Sequence, residues 1–171
     1  MTTTTQSQKE PPWHAAFPVP RTTEPKSISP EDLLGRLQAR ERGGKDFLLV
    51  DLRRNDHEGG TIHSSINIPA QTLYPSLEAL YALVTKAKVP LVIFYCGSSA
   101  GRGTRAAGWL ADVIQDKSTS TSTSMSEQES AGDFVVESVI LKGGIKGWVK
   151  GGESYTEWMD GFDEKVWKTN S

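Results

Sequence analysis

Cys96 is the only cysteine in a chain of 171 residues, and Gly97, Ser98, Ser99, Ala100 and Gly101 separate it from Arg102. Every residue between the two is small, so the backbone can curl and turn successive N–H groups toward one point, where an anion is held. A thiol at that point, facing the positive end of a following helix, is stabilised as thiolate and becomes a nucleophile at neutral pH. Arg102 adds a planar fork of donors that grips two oxygens of a tetrahedral or planar oxyanion, which a lysine does not do in the same way. Attack by sulfur and stabilisation of charge by amides and guanidinium then come from one loop. Ser98 and Ser99 either donate hydroxyl hydrogen bonds to the anion or serve for their size alone, and Arg105 adds positive field. Cys-x5-Arg is common by chance, and a lone cysteine is more often a small buried hydrophobe. Context gives this motif its weight.

That context is a strand before the loop and a helix after it. Residues 91–95, Leu-Val-Ile-Phe-Tyr, form an apolar run too continuous for an exposed edge, which predicts a strand buried on both faces of a parallel sheet. From Gly103 onward Ala106, Ala107, Leu110, Val113 and Ile114 recur at helical spacing. Cys96 therefore lies at the C-terminal end of a central strand, where ligand crevices form in such sheets.

The remaining elements alternate in type. Ile28 marks a short first strand, and Ser29-Pro30-Glu31-Asp32 is a capped helix start that leads into Leu33, Leu34 and Leu37, with Gly43-Gly44 as its stop. Residues 47–50 and 66–68 predict further strands, the second halted by Pro69, with a loop over 54–61. A helix is predicted over 72–86 from Leu73, Leu77, Leu80 and Val84. Val135 to Leu141 contain another strand, and Gly143-Gly144 turns the chain into a short helix around 145–149. Trp158, Met159, Phe162 and Val166 predict a last helix over 155–167. Strands alternating with helices give an α/β fold with a mostly parallel sheet. Residues 24–168 form one domain. Residues 1–23, rich in Thr, Gln and Pro, are expected as a flexible tail, with Trp13 and Phe17 able to pin part of it. The polar run at 116–132 is expected as a flexible low-complexity insertion.

Other polar residues carry weaker signals. His57, Glu58 and His63 lack the spacing of a zinc site, so no metal is expected. Asp56 and Glu58 follow a strand and can approach the crevice as proton donors, but solvated acids are the better reading. The glycines at 143–152 include no phosphate-binding G-x-x-x-x-G-K-[ST] pattern. Trp148, Trp158 and Trp167 fit a core better than a ligand platform.

A net charge of −2 gives no reason to expect nucleic acid or an anionic membrane as partner. The first residues are polar, without the apolar core of a secretory leader, and no apolar stretch is long enough to span a bilayer. A single cysteine excludes an internal disulfide and fits a reducing compartment, cytoplasmic or nuclear. Any disulfide or persulfide step must then be resolved by a thiol from outside the chain.

Asp51-Leu52-Arg53, Glu58-Gly59-Gly60-Thr61-Ile62, Ile66-Asn67-Ile68-Pro69, Cys96 to Arg105 and Leu141-Lys142-Gly143-Gly144-Ile145-Lys146-Gly147-Trp148 occur in an order that resembles the rhodanese-like domain. The resemblance implies a three-layer α/β/α fold around a mostly parallel sheet of about five strands. It makes the Asp-x-Arg and Leu-Lys-Gly-Gly blocks structural, Cys96 and Arg102 catalytic, and residues 97–102 the substrate cradle. Sulfurtransferases of this superfamily usually carry a loop one residue shorter. The longer loop is similar to that of the dual-specificity cell-cycle phosphatases and the eukaryotic arsenate reductases, which accept phosphate or arsenate. Two departures stand out: Tyr95 replaces the histidine before the cysteine, and Gly101 replaces the loop glutamate of the phosphatases. Arsenate reductases need no loop acid, since glutathione with glutaredoxin completes the reduction, and no bound cofactor is implied. The expectation is a thiolate enzyme acting on a small oxyanion or phosphorylated substrate. A persulfide sulfurtransferase and a non-catalytic module that binds phosphorylated ligands are the alternatives.

Overall fold

The structure, a computed structural model, describes residues 10–123 and 134–169. Five strands form a parallel sheet: β1 (Lys26–Ile28), β2 (Leu48–Asp51), β4 (Ser65–Asn67), β5 (Leu91–Tyr95) and β6 (Glu137–Leu141), in the spatial order β1-β6-β5-β2-β4. β5 is central, and all five of its residues are buried. Alternation along it divides the core in two. Val92 and Phe94 pack with Val50 and Leu52 beneath α2 (Ala70–Leu73), α3 (Leu77–Lys86) and α4 (Arg102–Thr123). Leu91, Ile93 and Tyr95 pack with Leu49, Val139 and Leu141 against α1 (Pro30–Gln38) and α5 (Gly144–Lys150). This is the expected three-layer α/β/α arrangement. α1 begins as its sequence dictates: Ser29 Oγ accepts from the Asp32 N–H at 3.0 Å, and Pro30 occupies the first turn.

Several expectations need correction. α1 ends at Gln38, ahead of Gly43-Gly44, because Arg40 takes a left-handed φ of 61° and turns the chain out. Gly43 instead lets Ser64 approach: a Cβ there would lie 2.6 Å from Ser64 Cβ. The helix predicted over 72–86 is two helices, α2 and α3, joined by a 3-10 turn at Tyr74–Ser76 around Pro75, which has no N–H for an α-helical bond.

The last helix, predicted over 155–167, is α6 (Glu153–Thr156), β7 (Met159–Asp160) and α7 (Glu164–Thr169). Met159–Asp160 pair antiparallel with β3 (Thr61–Ile62), and Gly161, at φ 67°, interrupts any helix there. The apolar spacing was compatible with a helix, but non-local pairing took the segment.

Two segments expected to be flexible are partly structured. α4 runs through 116–123, into the Ser/Thr-rich run; Ser118, Thr119 and Ser120 hydroxyls donate to the carbonyls of Ile114, Gln115 and Asp116 at 2.8–2.9 Å, and Lys117 Nζ lies 2.8 Å from Glu78 Oε2. The rest of the insertion lies outside the described residues, as does the start of the tail. Within the tail, Trp13–Ala16 form a 3-10 turn, and Trp13 and Phe17 pack against the core under α4.

Candidate active site

The loop after β5 is fixed from its outer side. Cys96 O accepts from Ile145 N, Gly97 O from Lys146 N, Ser99 O from Thr104 Oγ1 and Gly101 O from Arg105 N, each at 3.0 Å. A trans peptide holds its N–H antiparallel to its C=O. The N–H groups of Gly97, Ser98, Ala100 and Arg102 therefore face away from these partners, and none of the four donates to another described residue. The Ser99 N–H donates to Cys96 Sγ at 3.2 Å, and Ser99 Oγ accepts from Cys96 N at 3.4 Å. Ser99 achieves the turn at φ 58°, a conformation that costs an L-residue about 1–2 kcal/mol.

The Leu-Lys-Gly-Gly block explains how α5 comes so close. Gly143 and Gly144 both have positive φ, and a Cβ at Gly144 would collide with Cys96 O and lie 2.7 Å from Gly97 O. Only glycine lets the first turn of α5 meet the loop carbonyls.

Cys96 is largely buried, yet it lines an open cleft of about 450 Å³. Gly97, Ser98, Gly101 and Arg102 line it from the loop side, with Arg105 and Lys146 beyond them. Three cations and one carboxylate, Asp56, line the cleft, and this positive balance favours an anionic ligand. A larger groove of about 1010 Å³ runs beside α5, α6 and α7 and shares Lys146 with the cleft, but the cysteine does not line it.

Arg102 is held by an acid. Its Nη1 donates to Asp56 Oδ1 at 2.8 Å and its Nη2 to Asp56 Oδ2. Arg102 holds the Asp56 carboxyl well below the usual carboxylate range, chiefly through these hydrogen bonds and against the opposing effect of burial. Asp56 in turn raises the Arg102 guanidinium, with Cys96 a smaller contributor.

The structure therefore brings Cys96, Gly97, Ser98, Gly101 and Arg102 to one cleft. Ser99 and Ala100 do not line it: the Ser99 hydroxyl is turned to the Cys96 backbone, while its N–H still reaches the sulfur. Asp56 is no free solvated acid, and it is ionised, so it is poorly suited to donate a proton. Glu58 contributes its carbonyl, which accepts from Arg53 Nη1 at 3.0 Å. Tyr95 points to the opposite face, where its hydroxyl lies 2.6 Å from Thr61 Oγ1 and 2.9 Å from Ser65 Oγ and accepts from Ile62 N at 3.2 Å. Burial, with the Asp51 charge, pushes its phenol up.

The residues that sequence reasoning missed are Lys146, Trp13 and His14, all on the cleft wall. Lys146 follows the Gly-Gly turn, and its position over the loop depends on that turn packing on Cys96. Among the described residues, no group of three His, Cys, Asp or Glu side chains is placed to hold a metal ion. His57 and His63 lie singly against Asp51 and Asp160. No described helix is long and apolar enough to cross a membrane.

The dual specificity phosphatase ibp1 of Schizosaccharomyces pombe is 28% identical over 123 residues, which cover 71% of this chain and 86% of that protein. The structure of Ygr203w, a yeast protein tyrosine phosphatase of the rhodanese family, superposes with a TM-score of 0.54 at 22% identity, over 85% of this chain and 98% of that one. The As-Sb reductase from Leishmania major gives 0.53 at 24% identity, over 71% and 74%. These two structural likenesses speak to the fold. The family description Rhodanese-like domain matches residues 29–151, most of the chain and all of the sheet but β1, and this protein belongs to that family.

Proposed function

We propose that this protein is a cysteine-dependent enzyme acting on a phosphate or arsenate oxyanion. The observation that carries the reading is the loop itself: four of its carbonyls are tied outward, the N–H groups of Gly97, Ser98, Ala100 and Arg102 are left for a ligand, the Ser99 N–H meets Cys96 Sγ, and Cys96 lines a cleft with Arg102, Arg105 and Lys146. The names of the relatives support the same pair of chemistries.

Ionised Cys96 attacks the central atom while loop amides and the Arg102 fork hold the equatorial oxygens. With a phosphate ester, the S–P bond forms as the bond to the leaving oxygen breaks and that oxygen takes a proton; water then cleaves the S–P bond. With arsenate, the S–As bond forms as one arsenate oxygen leaves as water. An external thiolate, glutathione for instance, then attacks the Cys96 sulfur, and the S–As electron pair stays on arsenic as it leaves at the trivalent level. Cys96 is left in a mixed disulfide, which a second thiol or glutaredoxin reduces. With one cysteine in the chain, both reducing thiols come from outside it.

The deciding experiment assays aryl phosphate hydrolysis, glutathione/glutaredoxin-coupled arsenate reduction and thiosulfate:cyanide transfer on the wild type and Cys96→Ser. One of the first two activities is expected, with a fall of more than about 10³-fold in the variant. Sulfur transfer alone, with a persulfide on Cys96 by mass spectrometry, would favour the sulfurtransferase reading; anion binding without turnover would favour a binding module.

A further inference from the structure

The family match begins at residue 29, yet residues 13–22 are fitted closely to α4. Trp109 Nε1 donates to Pro18 O at 2.8 Å, and the Asp112 carboxylate accepts from Arg21 N at 2.7 Å, Thr22 N at 3.0 Å and Thr22 Oγ1 at 2.8 Å. Phe17 packs against Tyr74 and Trp109, with ring centroids 5.0 and 5.9 Å away, and Trp13 meets Trp109 edge-on at 6.3 Å.

Gly108 shows that the helix is shaped for this segment. A glycine inside a helix is less favourable than alanine. Here a Cβ would collide with Thr22 O and lie 3.0 Å from Pro20 Cβ, so its absence is what lets the arm lie down. The far end of the arm then reaches the cleft, where Trp13 and half-buried His14 join Cys96 and Arg102 in the lining.

An in-line attack from Cys96 sends the leaving group toward the mouth. The charged or titratable side chains there are Asp56, Arg102, Arg105, Lys146 and His14. Arginine and lysine keep their protons, and Asp56 is held ionised by Arg102. Gly101 brings no side chain. Histidine is the residue type that exchanges protons near neutrality.

We propose that the N-terminal arm is an integral wall of the oxyanion site and that His14, carried on it, is the proton donor to the group leaving the bound anion. The role of His14 rests on the oxyanion reading above; the placement of the arm does not. As the P–O bond breaks, its electron pair stays on the leaving oxygen, which takes the proton from the His14 imidazolium. The neutral ring then takes a proton from the water that cleaves the S–P bond.

The test uses the full chain as wild type, His14→Gln and Gly108→Ala, with p-nitrophenyl phosphate and phenyl phosphate as substrates. A second readout is the rate at which iodoacetamide alkylates Cys96. Loss of a proton donor hurts the poorer leaving group more: His14→Gln should lower kcat/KM about 10²-fold on phenyl phosphate and less than about 10-fold on the nitrophenyl ester. Gly108→Ala should reproduce that pattern while speeding alkylation, because a displaced arm uncovers the sulfur. Equal losses on both esters, or none, overturn the role of His14; an unchanged alkylation rate in Gly108→Ala overturns the wall. If the wild type hydrolyses neither ester, the role of His14 falls with the phosphate half of the functional reading, arsenate reduction remains the separate test of the oxyanion reading, and alkylation still decides the placement of the arm.

Discussion

Two neighbouring strands each end in a loop that sets an arginine against an aspartate, and the two pairs serve opposite ends. After β2, Arg53 and Asp51 are 2% and 0% exposed, and every nitrogen of the guanidinium is engaged: Nε and Nη2 donate to Asp51, Nη1 to Glu58 O and Nη2 again to Gly60 O. After β5, Arg102 reaches across to Asp56 on the loop after β2; the two are 24% and 49% exposed, and the fork meets one carboxylate at the edge of a cleft. The first pair is complete and holds the turn over 58–60 in place. In the proposed reaction the second exchanges its carboxylate for an incoming anion. The same two residue types thus serve as scaffold or, on the proposed reading, as reagent, according to burial and to how many partners already surround them.

The sharpest way to break this comparison is Arg53→Ala. It strands the buried Asp51 carboxylate and should cost about 3–5 kcal/mol in urea unfolding, while activity per folded molecule stays within about twofold. Arg102→Ala should do the reverse, lowering kcat/KM by about 10²–10³-fold, or roughly 2.7–4 kcal/mol of barrier, while stability moves by less than about 1 kcal/mol. If the two variants destabilise equally, the distinction between scaffold and reagent is lost. The smallest effect is expected from Asp56→Asn. Two unit charges a few ångströms apart in water interact by about 1 kcal/mol, so loss of the Asp56 charge from the cleft edge should tighten inhibition by phosphate or arsenate about fivefold at low salt, an effect that fades near 1 M salt.

The pH dependence of that last pair has a definite sign. Asp56 is held below its unfolded range of about 3.9, so the stability it confers is complete above that range and is lost as pH falls beneath it. Unfolding of wild type and Asp56→Asn should therefore differ by a constant amount between pH 5 and 8.

The loop was legible because its chemistry is written within seven consecutive residues, and β5 because burial on both faces leaves an unbroken apolar run. Asp56 was visible as an acid after a strand, but its task was not: the pairing with Arg102 depends on β2 and β5 lying side by side. Lys146, Trp13 and His14 reach the cleft through packing, the first over Gly143-Gly144 and the others through an arm whose counterpart is Gly108. The local signs of that arm are Trp13 and Phe17, two aromatics in a polar segment, and a glycine within an otherwise regular helix. Tyr95 looked like a missing histidine, yet strand alternation turns it away from the site, toward Thr61 and Ser65. The segment at 155–167 was misread because its spacing satisfies a helix as well as a strand that pairs with β3, and only the partner decides.

The order of the strands sets a further requirement on the chain. β1 is completed only by β6, with Lys26 beside Val139 and Ile28 beside Leu141, so the first strand made waits for nearly the last. Assembly must therefore close a loop that encloses most of the domain before this edge of the sheet exists. Such non-local closure slows folding and prolongs exposure of unpaired edges. A nascent chain emerging from the ribosome cannot finish its sheet until synthesis has passed Leu141.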